Sequence, residues 1–386
     1  MAGRLWALPL AFVVYVLLGL AVPATTERAE GGQPPPRSRD DGARPGAISK
    51  LVPTEAPTWS RDGNWLLIPA EERSSGAQRL LLAKRAGLSV EVSRGFALRH
   101  RARSVQWSEG AGQAVFQSSD GTAVISVLDL KNGEIQQFAE GAAPAISSAG
   151  IAVFARRDQD GVNIYSLEFG SRRVTKLTSG MLARDWCISP NGKWVAVRYG
   201  TLDAKAPQVQ RPLAVVSVAN PLAVMNVDPG AGYADFGMAW RSDDALLFGV
   251  VGEEAGGHRF EVVEFSMSSQ ARRVVLKSRE FDWYTGRPWW SARGEYVVYP
   301  SATRSKGGSP RENWQALKRL NTVSGEISGI NFRTALKANL SLSRDGALVA
   351  AISENGELWL GSFALGKAAK CVPTAHTKPA EARPAR

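Results

Sequence analysis

The sequence contains few of the residues on which most catalytic sites depend. Only three histidines occur among 386 residues, and none of them has a neighbour at the spacing of a metal-ligand pair. There is no Gly-x-Ser-x-Gly turn for a nucleophile, and no phosphate-binding glycine loop follows a strand pattern. The sequence therefore predicts no catalytic residue, no cofactor and no metal site.

Cysteine is also scarce. The two cysteines, Cys187 and Cys371, fall in different copies of the repeat described below. An exported protein could pair them in a disulfide. Their separation between copies favours instead two small, buried residues with free thiols.

Two further patterns are missing from the sequence. No segment keeps the apolar period of about 3.6 residues that marks a helix, so almost no helix is expected. The formal net charge is +11, but no run of Lys or Arg is interleaved with aromatic residues. Such a stripe is typical of nucleic-acid binding, so nucleic acid is not expected as a partner. The positive charge is better suited to contact with an anionic surface of the cell envelope.

The first 24 residues have the pattern of a secretory signal peptide. Met1–Arg4 is basic, Leu5–Val22 is apolar, and small residues follow at a suitable cleavage point. An apolar run of about 18 residues is also the lower limit of a membrane-spanning helix. We therefore predict a periplasmic or secreted protein, with a membrane-anchored, outward-facing protein tethered through residues 5–22 as the alternative.

Two polar segments enclose the central part of the chain. Residues 25–50 are rich in Pro, Gly and charge, and they are predicted to form a disordered tether. Residues 373–386 are predicted to form a disordered basic tail. The folded domain is therefore expected to span residues 51–372.

A repeated pattern organises that domain. Each copy has a short apolar strand that ends in a large residue, called the anchor here, then a polar turn and a second apolar strand. The anchors recur roughly every 40–50 residues, which is the period of β-propeller blades. They are Trp59, Trp107, Ile146, Ile188, Trp240, Trp290 and Leu342.

The pattern predicts an all-β protein with four antiparallel strands in each copy. Apolar residues alternate along the anchor strand, and serine follows the anchor in six of the seven copies. Asn-Gly and Asp-Gly pairs supply hairpin turns between later strands. We predict a single β-propeller of four-stranded blades, seven in number, with six or eight as alternatives because the termini can share a blade or not. The protein is expected to be a monomer.

The turns resemble those of TolB-like (Trp-Asp-repeat-like) β-propellers, whose typical unit is Trp-Ser-Pro-Asp-Gly between two strands. "CISPNGKWVAV" (Cys187–Val197) is a close match, while "TWSRDGNWLLI" (Thr58–Ile68) and "LSLSRDGALVAA" (Leu340–Ala351) keep the turn without the proline. The resemblance covers about residues 51–372 and implies the propeller fold. TolB itself has an α/β domain before its propeller and six blades, whereas this chain has a Pro-rich segment there and seven anchors.

One segment of the third copy carries two aspartates at alternate positions. "RDQDGVN" (Arg157–Asn163) resembles a fragment of a calcium-binding loop. No downstream glutamate completes the ligand set. We therefore interpret it as an acidic connection between the second and third strands.

The candidate binding surface, called the channel-mouth face here, follows from propeller geometry. Loops that lead into the innermost strand and loops between the second and third strands lie together around the channel mouth, where a rigid scaffold positions functional groups. Arginine and aromatic residues, which dominate binding hot spots, are common in these loops. The candidate residues are His100, Arg103, Arg184, Asp185, Tyr233, Asp235, Asp282, Trp283, Tyr284, Arg287 and Trp289.

Aromatic residues are crowded between Phe281 and Pro300. The repeat assigns Trp290, Tyr296 and Tyr299 to core positions. Trp283 and Tyr284 have no counterpart in other copies, and Trp289 occupies a column of smaller residues. These three rings are the candidates for ligand contact.

These features predict an exported, non-enzymatic β-propeller that binds a protein or a cell-envelope polymer through the channel-mouth face. The alternative is a propeller enzyme, a lyase or hydrolase, that acts on a glycan or peptide at the central channel. A third possibility is a structural module that assembles through its blade edges or its tails.

Overall fold

We describe the protein from a computed structural model. The described residues are 51–108, 112–200, 212–228, 237–254, 257–278, 288–303, 311–371 and 374–375. Regular structure in these ranges consists of β-strands, which confirms the prediction of an all-β protein. No helix in this part of the chain is long and apolar enough to cross a membrane. The apolar segment 5–22 and the tether lie outside the described residues.

In the described ranges the strands form six hydrogen-bonded sheets. The repeating element is an antiparallel array of four consecutive strands whose first strand carries an anchor, and we number these arrays 1 to 7 along the chain. One eight-stranded sheet contains arrays 3 and 4, which are joined by a single parallel pair between Val162 and Leu182. Gly161 makes this junction possible, because its φ is +141° and a Cβ there would lie 2.2 Å from the carbonyl oxygen of Met181.

The strand bounds repeat with little variation in arrays 1 to 3. Array 1 comprises β2 (Thr58–Trp59), β3 (Trp65–Glu72), β4 (Gln78–Ala86) and β5 (Ser89–Leu98). The short strand β1 (Leu51–Pro53) pairs with β3 on the same side as β2. Array 2 comprises β6 (Ala102–Ser108), β7 (Gln113–Asp120), β8 (Thr122–Asp129) and β9 (Ile135–Glu140). Array 3 comprises β10 (Ala142–Ile146), β11 (Ile151–Asp158), β12 (Gly161–Glu168) and β13 (Arg173–Lys176).

Arrays 4 to 7 continue the same order. Array 4 comprises β14 (Leu182–Ile188), β15 (Trp194–Gly200), β16 (Leu213–Ser217) and β17 (Val224–Asp228). Array 5 comprises β18 (Met238–Trp240), β19 (Ala245–Glu254), β20 (Gly257–Ser266) and β21 (Arg272–Ser278). Array 6 comprises β22 (Trp289–Trp290), β23 (Tyr296–Thr303), β24 (Arg311–Asn321) and β25 (Ile327–Asn331). Array 7 comprises β26 (Leu336–Leu342), β27 (Leu348–Ser353), β28 (Leu358–Ser362) and β29 (Lys367–Cys371).

The hydrophobic core lies between the arrays. Buried clusters in the described part of the chain each draw residues from two consecutive arrays, as when Leu67 and Phe96 pack with Phe116 between arrays 1 and 2. One cluster joins Trp59 and Leu66 of array 1 to Ile352 of array 7. The arrays therefore form a closed, propeller-like ring.

The anchors are less uniformly buried than the repeat predicts. Trp59, Ile188 and Trp240 are buried, but the other four anchors are half-buried. First strands of neighbouring arrays contact one another, as β2 does with β6 and β26, so they lie around the centre of the ring. The four half-buried anchors pack against the clusters between arrays and keep some exposure.

The serine after the anchor holds the turn between the first two strands. In arrays 1, 4, 6 and 7 its Oγ accepts a hydrogen bond of 2.9 to 3.0 Å from the backbone N–H five residues later. The hydroxyl donates to Asp62, Asn191 or Asp345 in arrays 1, 4 and 7 at 2.5 to 2.8 Å. Since these serines are at most 3% exposed, the recurrent serine is explained by turn structure rather than by chemistry at a site.

The ring closes where the last array meets the first. The indole N–H of Trp59 donates to the carbonyl oxygen of Ser341 at 3.3 Å, across 282 residues. The Ser341 hydroxyl donates to the carbonyl oxygen of Pro57. Thr374 and Ala375, which the sequence assigns to a disordered tail, pair as β30 (Thr374–Ala375) in parallel with the open edge of β5.

Cys187 and Cys371 lie in different arrays and form no disulfide, as the repeat predicts, but Cys187 is half-buried rather than buried. Cys371 is buried, and its Sγ donates to the carbonyl oxygen of Leu88 at 2.8 Å, from array 7 to array 1. Burial raises the pKa of the Cys371 thiol to about 12. The thiol is therefore protonated at neutral pH, and its hydrogen bond to Leu88 contributes to ring closure.

Replacing Ser189 tests the role of the turn serine. Ser189 is fully buried, and Ser189→Ala removes the partner of the Trp194 N–H and of the Asn191 side chain. We expect the free energy of unfolding to fall by about 1–3 kcal/mol, measured by urea denaturation. Ser74→Ala, at an exposed position, is the control and should change it by less than about 0.5 kcal/mol. Equal stability of both variants would contradict the assignment.

Candidate functional site

The first strands are irregular where they enter the ring at the channel-mouth face. Three residues before the anchor, Ser104, Ala143 and Gly237 have φ values of +49°, +48° and +73°. The strand register shifts at the same place in arrays 2 and 3. Left-handed φ values are costly for residues with a Cβ, about 1–3 kcal/mol each, and such residues cluster at functional sites. A bulge at this position also re-aims the neighbouring side chains.

The left-handed residues turn their backbone N–H groups towards side chains. The N–H of Ser104 donates to Oε2 of Glu55 at 2.9 Å. The N–H of Ala143 donates to Oε1 of Gln117 at 3.2 Å, and its carbonyl oxygen accepts from the indole of Trp186 at 3.2 Å. Side chains from neighbouring strands and arrays therefore support the unusual backbone.

Glu55 is the centre of a small charged group between arrays 1 and 2. Burial raises the pKa of Glu55, and the N–H of Ser104 and the charges of Arg101 and Arg103 offset this only in part. Arg101 donates to the carbonyl oxygen of Thr54 at 2.7 Å. A carboxyl group with a raised pKa beside two arginines is a recognised feature of functional sites. The sequence analysis missed Glu55, although it occupies the same repeat position, four residues before the anchor, as the candidates Arg103 and Arg184.

A second charged group lies in array 4. Arg184 is exposed, and Asp185 is half-buried opposite Arg198 in the strand register. Arg198 is only 2% exposed. Its guanidinium donates to the carbonyl oxygen of Gly249 at 3.2 Å and lies 5.7 Å from the ring centroid of Phe248. Arg198 therefore links arrays 4 and 5.

The acidic segment of array 3 forms a closed ion-pair network. Nζ of Lys176 lies 2.9 Å from Asp158 and 3.0 Å from Asp160. Tyr165 donates to Asp158 at 2.5 Å, and the buried Asn163 donates to Asp160 at 2.8 Å. The ammonium group of Lys176 thus occupies the space between the carboxylates, which explains the calcium-like spacing. In the described ranges no group of three or more metal-binding side chains comes together.

Burial and hydrogen bonding have opposite effects on the pKa of Asp158 in this network. Burial would raise the pKa of Asp158, but the hydrogen bonds from Tyr165, Lys176, Asn163 and Arg156 outweigh it and lower the pKa below its ordinary value. The guanidinium of Arg156 also lies 3.9 Å from the ring centroid of Tyr165. The network holds the turn between β11 and β12 rigidly at the channel-mouth end of array 3.

The candidate residues of the sequence analysis divide into two groups. Among those described, Arg103 and Arg184 are exposed, and His100, Asp185 and Trp289 are half-buried. Trp289 packs against the buried cluster between arrays 6 and 7, so at least part of its ring serves the core. The candidates that lie outside the described residues are Tyr233, Asp235, Asp282, Trp283, Tyr284 and Arg287.

The three residues of the aromatic segment that were assigned to the core differ in burial. Tyr299 is 1% exposed, which confirms its core position. Trp290 is half-buried and packs against the cluster between arrays 5 and 6. Tyr296 is half-buried, with the guanidinium of Arg319 4.4 Å from its ring centroid.

Comparison with known proteins supports the fold. No protein-family model and no curated protein matches the sequence. The structure is similar to an oligogalacturonate lyase from Vibrio parahaemolyticus, with a TM-score of 0.58, 11% identity, and coverage of 80% of this chain and 89% of that one. It is also similar to the β-propeller domain of Cps50 (Swd1) from Myceliophteria thermophila, with a TM-score of 0.55, 12% identity, and coverage of 81% and 97%.

The similarity extends to TolB, but at a lower level. TolB from Acinetobacter baumannii has a TM-score of 0.42 and 16% identity, with coverage of 75% of this chain and 65% of that one. Solved propellers at such identities show a common fold alone. The similarity to the lyase and to the Cps50 domain therefore shows a β-propeller fold.

Replacing Asp158 tests the network in array 3. Because the folded protein lowers the pKa of Asp158, its contribution is present above the unfolded pKa of about 4 and is lost as the pH falls. Asp158→Asn should lower the free energy of unfolding at pH 7 by about 1–3 kcal/mol, measured by urea denaturation over a pH series. The difference from the wild type should shrink below about pH 4.

The exposed Glu140 offers a matched control for that experiment. Glu140→Gln also removes one negative charge, but we expect the stability to change by less than about 0.5 kcal/mol at every pH. A pH-independent loss in Asp158→Asn would show that the side chain acts through its shape rather than its charge.

Proposed function

We propose that the protein is an exported, non-enzymatic β-propeller of seven blades that binds a protein or a cell-envelope polymer through its channel-mouth face. The blade number is supported by the arrays, since each of the seven anchors heads one set of four antiparallel strands. Export follows from the predicted signal peptide at residues 1–24. The periplasm or the cell exterior is the proposed location.

One observation carries the proposal for the binding face. The backbone is left-handed at Ser104 and Ala143, inside the first strands, and at Gly237, just before one, at the same repeat position in three arrays. Hairpin turns alone do not require this conformation inside a β-strand. Hydrogen bonds to Glu55 and Gln117 stabilise the left-handed backbone of Ser104 and Ala143. This arrangement is expected where backbone strain serves a binding surface.

The side chains next to this backbone suit an anionic partner. Arg103 precedes the left-handed Ser104, and Arg184 occupies the corresponding position in array 4. Both are exposed. A guanidinium can bind a carboxylate or phosphate with two parallel hydrogen bonds. The positive net charge of the chain favours encounter with an anionic envelope surface or an acidic protein.

Removal of these arginines should weaken binding. We expect Arg103→Ala and Arg184→Ala each to reduce co-sedimentation of the mature protein with isolated envelope fractions, and the double variant to reduce it about tenfold or more. Binding should also weaken with added salt, because exposed charges are screened. Chemical crosslinking followed by mass spectrometry would identify a protein partner in the same fractions.

Arg173→Ala provides the control for this experiment. Arg173 is exposed and starts β13, beside the turn between the third and fourth strands of array 3, at the end of the ring opposite the channel-mouth face. Its loss should leave binding unchanged. Equal binding by the wild type and the double variant would exclude Arg103 and Arg184 from the binding face.

A second candidate function, a propeller enzyme that acts on a glycan or peptide, is favoured by Glu55. A carboxyl group with a raised pKa is suited to general acid or base catalysis near neutral pH. Glu55 lies at the channel-mouth end of the ring beside Arg101 and Arg103. The arginines could then bind an anionic substrate close to the carboxyl group.

Glu55→Gln separates the two functions. Glutamine keeps an acceptor for the N–H of Ser104 but cannot transfer a proton. If the protein is an enzyme, product release from envelope glycans or peptides, measured by chromatography, should fall about a hundredfold or more while binding is retained. Absence of products with the wild type, at concentrations that saturate binding, would reject the enzyme and leave the binding function.

A further inference from the structure

A cavity of about 230 Å³ lies at the end of the ring opposite the channel-mouth face. It is formed by the turns between the first and second strands of arrays 1, 6 and 7, which the closure of the ring brings together. Ligand sites for drug-sized molecules are usually larger, about 300–1,000 Å³. The cavity is therefore sized for a small chemical group. Its charged lining residues are Arg61, Asp62, Arg293, Glu295, Arg344 and Asp345.

Two of the lining carboxylates are committed to their own turns. Asp62 accepts hydrogen bonds from the Ser60 hydroxyl at 2.5 Å and from the backbone and side chain of Asn64 at 2.9 and 2.8 Å. These bonds lower the pKa of Asp62, with the Ser60 hydroxyl as the largest cause. Asp345 accepts from the Ser343 hydroxyl at 2.6 Å and from the N–H of Ala347 at 3.0 Å. Both aspartates thus hold the cavity wall in shape.

Array 6 departs from this pattern at the cavity. Two residues after the turn serine, arrays 1 and 7 have an aspartate, but array 6 has Arg293. The turn keeps its fold, because the Ser291 hydroxyl still accepts from the N–H of Tyr296 at 3.0 Å. The fold of the turn therefore does not require an arginine in place of the aspartate. Arg293 adds a positive charge to the cavity.

Three guanidinium groups converge on the cavity from three separate arrays. Arg61 and Arg293 are exposed and Arg344 is half-buried. Each guanidinium has five N–H donors, so it can bind an oxyanion while keeping a protein partner. The walls are rigid, since the buried serines and committed aspartates fix the turns. Preorganised donors of this kind bind an anion with little loss of entropy.

We propose that this cavity is a second binding site, which takes a small oxyanion, a carboxylate or phosphate group of a larger ligand or a free ion. Arg61, Arg293 and Arg344 bind its oxygens. Glu295 lies on the same wall and accepts from a neighbouring hydroxyl or ammonium group of the ligand. The site is separate from the channel-mouth face, because it lies at the other end of the first strands.

The test uses inorganic phosphate and malonate as probes with the mature protein. Isothermal titration at low ionic strength should show saturable binding of at least one probe, and the tighter probe identifies the source of the oxyanion. Arg344→Gln should weaken binding about tenfold or more, because it removes a charge and a forked donor. Arg344→Lys keeps the positive charge but loses the forked guanidinium. Its affinity for the probe should lie between those of the wild type and Arg344→Gln.

Arg293→Asp is the decisive variant. It restores the residue found in arrays 1 and 7, so the thermal unfolding temperature should be unchanged, yet it should abolish binding of both probes. Arg73→Gln, an exposed arginine at the other end of array 1, is the matched control and should bind like the wild type. The proposal is overturned if neither probe binds saturably, or if Arg293→Asp and Arg344→Gln bind as the wild type does.

Discussion

The contact between the last and first arrays is the constraint on which the rest of the structure depends. Every other interface in the ring joins arrays that are consecutive in the chain, but this one joins Trp59 to Ser341 across 282 residues. Closing so long a loop has an entropic cost that rises slowly with length. It is offset by a buried cluster in which Trp59 and Leu66 meet Ile352, by the Cys371 thiol and by the pairing of β30 with β5. Without this contact, arrays 1 and 7 would each expose an apolar face.

The closed ring gives the same strands two differently built ends. At one end, buried serines such as Ser189 make the turns nearly identical. At the channel-mouth face, the left-handed Ser104 and Ala143 interrupt the strands and depend on side chains for support. At the regular end the turn backbone is the same from array to array, and only the side chains differ, as at Arg293. The irregular end can vary its backbone, which is why the two proposed sites differ in character.

Much of the fold was predictable from local pattern, and most of the candidate site was not. Alternation along the strands identified Tyr299 as a core residue, and the serine column indicated the turns. The left-handed φ of Ser104 could not be predicted, because serine has no strong preference for that conformation and its support comes from Glu55, in another array. Lys176 likewise meets Asp160 only after the hairpins of array 3 have formed. Such contacts join residues whose local sequences carry no sign of one another.

The sequence by itself determined the period of the repeat, the four-stranded plan of each array, the turn chemistry and the apolar faces, because each depends on residues that are close along the chain. Only the tertiary structure decided which charged groups share a surface. Arg61, Arg293 and Arg344 lie far apart in the sequence and line one cavity, because closure of the ring brings array 7 back beside array 1. The physical reason is that each array packs its apolar faces against its two neighbours around the centre of the ring. The exposed apolar faces of arrays 1 and 7 are buried only when these two arrays meet.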